Sequence, residues 1–310
     1  MSRITGVLSP VVTPFNADYS PDAARFVRQC KWLVANNVGL AVFGTNSEAN
    51  SLAVGERIDL LEKLVEGGVD PARMMPGTGC CAIGDSVRLT AHAVKLGCAG
   101  VLMLPPFYYK GVSDEGLYRN FAEIIERVGD ARLRIYLYHI PPVSQVPISL
   151  GLIERLRSAY PANIAGVKDS SGDWNNTKAM LDRFAADGFD VFAGSESFLL
   201  ANMRNGGKGC ISATANVNPA AIHRLYANWK AADADDLQAN LDAIRGAFQK
   251  YPMIPALKQA VAHWSGDPGW TRVRPPLVEL NAAQSAALIA DLEQRGFSMP
   301  GLRADREAVS

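Results

Sequence analysis

Short runs rich in Val, Ile, Leu and Phe alternate with amphipathic stretches from residue 6 to about residue 215. The runs at 6–12, 39–44, 73–77, 99–104, 134–138, 163–168, 190–194 and 208–212 read as strands. Helical spacing of apolar residues fills the gaps at 23–34, 55–65, 86–96, 116–128, 150–159, 177–186 and 197–205. Strands that alternate with helices build a parallel sheet, and near-continuous apolar strands mean that both faces are covered. Eight such units are the number that closes a (β/α)8 (TIM) barrel. A doubly wound open sheet would carry a glycine-rich phosphate turn after its first strand. This chain instead runs Ser9-Pro10-Val11-Val12-Thr13-Pro14-Phe15 there. The predicted fold is therefore an α/β, (β/α)8 barrel over residues 1–218. Residues 219–310 are expected to form a C-terminal helical extension packed on it, with a loosely held tail after Pro300.

Charge excludes several partners. The 31 basic and 31 acidic residues cancel, and neither sign gathers into a block, so neither nucleic acid nor a membrane surface is indicated. The N-terminal run MSRITGVLSPVVTPF is broken by Pro10 and lacks the apolar core of a signal peptide. The five cysteines have no framework spacing, and adjacent Cys80 and Cys81 are poor disulfide partners, so reduced thiols and a cytoplasmic protein are expected. The four histidines are scattered and no cluster has ligand spacing, so no metal site is expected. The glycine cluster at 205–209 precedes a strand and reads as a tight connection rather than a phosphate turn.

In such a barrel the reactive groups sit at the C-terminal ends of strands. Lys168 ends the apolar run Ile164-Ala165-Gly166-Val167, where desolvation would favour a neutral amine able to attack a carbonyl. The plainer reading is a lysine that reaches solvent or pairs with Asp169. Tyr138 ends the neighbouring expected strand and could shuttle protons there, or simply fill a barrel layer. His139 should face the other way by alternation. Thr45, Asn46 and Ser47 follow Gly44 at another strand end, where they could present donors to a carboxylate or cap a helix with Glu48.

These positions give the chain a resemblance to the dihydrodipicolinate synthase/N-acetylneuraminate lyase family of class I aldolases. The matches are P-V-V-T-P-F at 10–15, G-T-N-S-E at 44–48, P-P-F-Y-Y at 105–109 with S-D-E-G-L-Y at 113–118, and G-V-K-D-S-S-G at 166–172. The run at 209–216 is similar to the family's eighth-strand motif, and the spacing of 30 residues from Tyr138 to Lys168 also suits the family. The resemblance implies Lys168 as the Schiff-base lysine and Tyr138 as the proton-transfer phenol. It implies Thr45 as the relay that, with the Asn46 amide, holds a 2-oxo acid carboxylate. Tyr109 would enter a neighbouring subunit's site, which implies a homo-oligomer, usually a tetramer built from dimers. Gly194 and Ile211 would lie beside the bound keto acid. No cofactor is implied, because the protonated imine is the electron sink.

Three departures separate this chain from the synthase branch. Asn46 replaces a hydroxyl residue, His139 replaces an asparagine, and Val143 stands where the synthases carry a carboxylate-gripping arginine. Valine cannot stand in for a guanidinium fork. The expectation is a lyase acting on pyruvate or a related 2-oxo acid, in the manner of a catabolic aldolase or dehydratase of hydroxylated 2-oxo acids. The synthase itself is the alternative, with His139 and Val143 at the second-substrate position. A barrel that only binds keto acids would have no need of Lys168, Tyr138 and Thr45 together. A metal-dependent barrel hydrolase lacks ligands.

Overall fold

A computed structural model of the chain describes residues 3–303. Seven parallel strands run β1 (Gly6–Ser9), β2 (Gly39–Leu40), β3 (Val101–Met103), β4 (Ile135–His139), β5 (Ile164–Asp169), β6 (Asp190–Ala193) and β7 (Gly209–Ile211). Their order in the sheet is β2-β1-β7-β6-β5-β4-β3. The two edges are joined by residues 74–77, where Met74 bridges Leu40 and Gly77 bridges Leu102. Met75 N donates to Leu40 O at 2.8 Å, and Leu102 N donates to Pro76 O at 2.9 Å, so the barrel closes. The strand expected over 73–77 is thus present as a bridging segment only. Pro76 has no N–H to give to β3, which breaks the ladder at that point. The expected strands over 6–12 and 39–44 also end early, at Pro10 and ahead of Phe43, whose φ of 62° leaves the extended region.

Helices α1 (Ala23–Ala35), α2 (Val54–Glu66), α3 (Ile83–Leu96), α4 (Asp114–Val128), α5 (Pro141–Ser144), α6 (Leu150–Ala159), α7 (Trp174–Phe184), α8 (Leu199–Arg204) and α9 (Pro219–Ala227) follow the eight barrel positions in turn, α5 and α6 both after β4. Their starts obey local chemistry: Asp22, Ser113 and Ser149 each accept a first-turn backbone N–H. Apolar faces of α1, α4 and α6, through Phe26, Phe121 and Leu152, pack on outward residues such as Val101, Ile135 and Val167. Ile222 and Leu225 of α9 pack with Val7 of β1. Helices α10 (Ala234–Phe248), α11 (Met253–Ser265) and α12 (Ala282–Gln294) share a second core around Phe248, Val261 and Leu288. The start of the expected loose tail is held, since Trp32 Nε1 donates to Pro300 O at 2.9 Å. Residues 304–310 lie outside the described residues.

The barrel interior takes an inward side chain from every position around the ring. Leu8, Ala41, Met75, Leu102, Tyr136, Ala165, Phe192 and Ile211 form one buried cluster. Each large side chain there contributes about 1.5–3 kcal/mol by leaving water. Tyr136 fits only because its neighbours are glycines: a Cβ on Gly100 or Gly166 would come within 2.7 or 2.8 Å of its ring. That stack fills the barrel below the C-terminal mouth and leaves the mouth itself to Tyr138 and Lys168. Among the described residues no helix is long and apolar enough to cross a membrane.

Candidate active site

Tyr138 and Lys168 are register partners in the ladder between β4 and β5. Both face inward near the C-terminal ends of their strands, and both are buried, at 3% and 2% exposure. The Lys168 amine lies 4.2 Å from the centre of the Tyr138 ring. Behind the phenol, Thr45 Oγ1 lies 3.2 Å from Tyr138 Oη, and either oxygen can donate. A hydroxyl, a phenol and an amine therefore stand in series at one mouth of the barrel. A narrow cleft lined by Gly44, Thr45, Arg57 and Tyr138 lies beside the hydroxyl and the phenol.

The plain alternative for Lys168, an ion pair with Asp169, fails on geometry. Asp169 is next along the strand and faces outward. Its carboxylate accepts from Ser171 N at 2.9 Å, Asn176 Nδ2 at 3.1 Å and Thr177 Oγ1 at 2.6 Å. Those bonds fix the turn after β5 and spend the acid's lone pairs there. His139 also faces outward. Its Nδ1 accepts from Ile148 N at 3.0 Å, and burial holds the imidazole below its ordinary pKa against the pull of Asp169. Alternation read its direction correctly, and its place among the candidate substrate contacts is corrected: the ring lies on the opposite face of β4 from Tyr138.

Thr45 and Asn46 sit in a tight turn, Thr45–Ser47, rather than at the start of a long helix. The turn is held from three sides. Thr13 Oγ1 donates to Ser47 O at 2.7 Å, and Gly44 N donates to Ser47 Oγ at 3.2 Å. Glu48, at φ 56°, turns its carboxylate into the protein, where it pairs with Lys258 of α11 and accepts from Arg274 N at 2.9 Å. Lys258 is wholly buried, and desolvation draws its pKa down to about 8 against the opposing charge of Glu48. Lys258 and Arg274 were missed in the sequence. A single charge on the apolar helix Met253–Ser265 was the available signal, since a buried lysine requires a partner.

Gly194 and Ile211 sit at the ends of β6 and β7. Ile211 is buried in the interior cluster with Tyr138. Gly194 N donates to Asp169 O at 2.7 Å, and a Cβ there would come within 2.1 Å of Ser170 Oγ. Only glycine allows β6 to approach the chain just past Lys168 so closely. Beneath them, buried Glu196 accepts from Ser212 and Thr214 hydroxyls and from Arg245 Nη1 of α10 at 2.7 Å, tying the two strand ends together. This network too was not anticipated.

Two candidates lie on the rim. Val143, on α5, is 61% exposed, and Tyr109 is 72% exposed with its ring packed edge-on against Tyr108 at 5.3 Å. Between them Lys110 Nζ donates to Ser144 O at 2.8 Å, which puts a cation beside the short helix that carries Val143. Among the described residues no three His, Cys, Asp or Glu side chains are grouped to hold a metal ion.

Comparison with known proteins follows the geometry. The family model described as the dihydrodipicolinate synthetase family matches residues 3–295. A protein of Chloroflexus aurantiacus described as an uncharacterized DapA-like lyase is 32% identical over 95% of this chain and 98% of its own. The crystal structure of dihydrodipicolinate synthase from Agrobacterium tumefaciens is 30% identical over 94% of this chain and 99% of its own, with a TM-score of 0.86. YagE, a prophage protein of the dihydrodipicolinic acid synthase family from E. coli K12 solved in complex with pyruvate, is 26% identical. It covers 96% of this chain and 100% of its own, with a TM-score of 0.88.

Proposed function

We propose that this chain, which belongs to the dihydrodipicolinate synthetase family, joins Lys168 to the carbonyl of pyruvate or a related 2-oxo acid as an imine. The family's members are class I aldolase-type lyases, and this chain is one of that class. In the proposed cycle the Lys168 nitrogen adds to the substrate's C2 and the carbonyl oxygen leaves as water. Tyr138 delivers and recovers the protons, with Thr45 as the next oxygen in the relay. The resulting iminium accepts the electron pair of a bond breaking beside it, or its enamine form donates that pair to an acceptor. Asn46 and the turn around Thr45 hold the carboxylate, with Gly194 and Ile211 beside the bound acid. The observation that carries this reading is the direct pairing of Tyr138 with Lys168, with Thr45 Oγ1 3.2 Å from the phenol.

Within the class we favour cleavage or dehydration of a hydroxylated 2-oxo acid. An exposed, apolar Val143 at the rim supports it, because an anionic second substrate would need a charged fork at that place. The specific observation that favours synthesis from an amino-acid aldehyde, as in dihydrodipicolinate synthase, is Lys110 on the same rim. A lysine offers a point charge and not a bidentate fork, so this remains the second reading. The exposed Tyr109 supports a homo-oligomer in which that residue completes a neighbour's site, built as a tetramer of paired dimers. Five free cysteines fit the reducing cytoplasm. The test is borohydride reduction in the presence of pyruvate, read by intact mass and peptide mapping. One reduced adduct on Lys168, lost together with turnover in Lys168→Ala, is the expected result; an adduct elsewhere or surviving turnover refutes the mechanism.

A further inference from the structure

A roomier cavity, about 730 Å³, opens at the opposite end of the barrel from Lys168. Its wall is built from segments that precede strands: Arg3 before β1, Arg73 before the bridging segment, and Arg132 and Arg134 before β4. His223 and Tyr226 of α9 supply the facing side, and no carboxylate is among the residues that line it. Behind the wall, Asp190 pairs with Arg3 at 3.3 Å and Asp130 with Arg132 at 2.7 Å. Arg134 Nη1 donates only to main-chain carbonyls, Ala131 O at 2.8 Å and Leu133 O at 2.9 Å. Among the described residues neither Arg73 nor Arg134 has a carboxylate within ion-pair distance, so the cavity carries uncompensated positive charge. His223 Nδ1 itself is buried behind this face, so it is the edge and face of the ring that the cavity meets. The Arg73 charge adds to burial in holding His223 below its ordinary pKa, so the ring is neutral near pH 7 and can offer one N–H.

Guanidinium groups from separate loops suit an anion with several acceptor oxygens better than a single carboxylate. A space of this size also takes more than a bare ion. We propose that this mouth binds a small organic phosphate, its anion held by Arg73 and Arg134 and its apolar or aromatic body resting on Tyr226 and His223. The site is separate from the Lys168 mouth, so its occupant does not compete with the 2-oxo acid.

Calorimetric titration of the full chain at physiological ionic strength tests this, with ADP, inorganic pyrophosphate and adenosine as probes. ADP is expected to bind saturably and most tightly, pyrophosphate less so and adenosine least. Arg73→Gln and Arg134→Gln should each weaken ADP by about tenfold or more, the usual loss for one charge-assisted hydrogen bond. Lys168→Ala should leave ADP binding unchanged. Circular dichroism and retained pyruvate adduct formation verify that the arginine variants fold, and half-exposed Arg73 carries the test alone if Arg134→Gln does not. Absence of ADP binding, any other order of affinities, unchanged affinity in the folded arginine variants, or loss in Lys168→Ala overturns the proposal.

Discussion

Lys258 of α11 reaches Glu48, 210 residues earlier, and the pair is wholly buried at the base of the turn that carries Thr45. A helix from the last third of the chain thereby holds the turn of Thr45, a residue of the proposed relay. Removing one partner leaves an uncompensated buried charge, which costs about 3–5 kcal/mol, whereas replacing both with apolar or neutral groups costs much less. Lys258→Met or Glu48→Gln alone should therefore lower the urea midpoint sharply, and the double variant should recover most of it. Activity should separate the two effects. The stable double variant is expected to keep its fold yet bind pyruvate more weakly, because the Thr45 turn has lost its anchor. A double variant no more stable than the single ones would show that the pair does not act as a unit.

The same lysine gives a pH dependence with a definite sign. Its folded pKa is drawn down to about 8 from an ordinary 10.5. Between those values the unfolded chain binds more protons than the folded one at this position. Its contribution therefore becomes more favourable as pH rises from about 8 to 10.5, and the full penalty applies below that window. Unfolding free energy measured across this range should rise less steeply in Lys258→Met than in the parent. A steeper rise in the variant would contradict the assigned direction.

The proposed relay is tested at its middle member. Tyr138→Phe keeps the ring that packs beside Lys168 and deletes only the phenol oxygen. Turnover should fall by roughly 10²–10⁴, the range for one acid–base group, while pyruvate affinity changes little. Thr45→Val should cost less on its own. Combined with Tyr138→Phe it should add almost nothing, because the two oxygens are in contact at 3.2 Å and serve one proton path. Losses that multiply would mean the hydroxyls act separately.

The legible part of this molecule is the part written in short-range periodicity. Alternation turned His139 away from the mouth that Tyr138 and Lys168 share, and the structure has it so, while the outward turn of Asp169 emerged only from its bonds to Ser171, Asn176 and Thr177. The count of β/α units gave the barrel, although Pro76 reduced one strand to two bridges. What stayed hidden depends on contacts between distant segments. Glu48 read as a helix-capping residue because nothing local revealed Lys258. Glu196 drew no reading from the sequence, because Arg245, Ser212 and Thr214 meet it only in the fold. The arginines of the lower mouth come from separate stretches that no sequence window contains.

Gly194 offers a test of packing beside Lys168, the proposed nucleophile. A methyl group there meets Ser170 Oγ at 2.1 Å and the Asp169 carbonyl at 2.7 Å, and the second contact is backbone that cannot rotate away. Gly194→Ala must push β6 off the end of β5 and break the 2.7 Å bond from Gly194 N to Asp169 O. Overpacking of this kind costs about 1–3 kcal/mol, which a barrel of this size tolerates. The expected outcome is a folded protein with weakened pyruvate binding and slower adduct formation. Unchanged kinetics would mean that the strand ends are more yielding than their contacts imply.

The proposed preference for a second substrate is tested at the rim. Val143 is 61% exposed on a four-residue helix, so Val143→Arg introduces a guanidinium without burying it or displacing a core group. If the proposed preference is right, the parent protein should cleave or dehydrate a hydroxylated 2-oxo acid with a higher kcat/KM than it condenses pyruvate with aspartate semialdehyde. Val143→Arg should raise the condensation constant, because the aldehyde's carboxylate then meets a bidentate donor. Lys110 is the competing cation, since its Nζ already reaches Ser144 O at 2.8 Å. Lys110→Met therefore discriminates between the two readings. Under the lyase reading it should leave cleavage within a few-fold of the parent. Under the synthase reading it should abolish a condensation that is already the preferred reaction, and that result would move this chain to the synthase branch despite Val143.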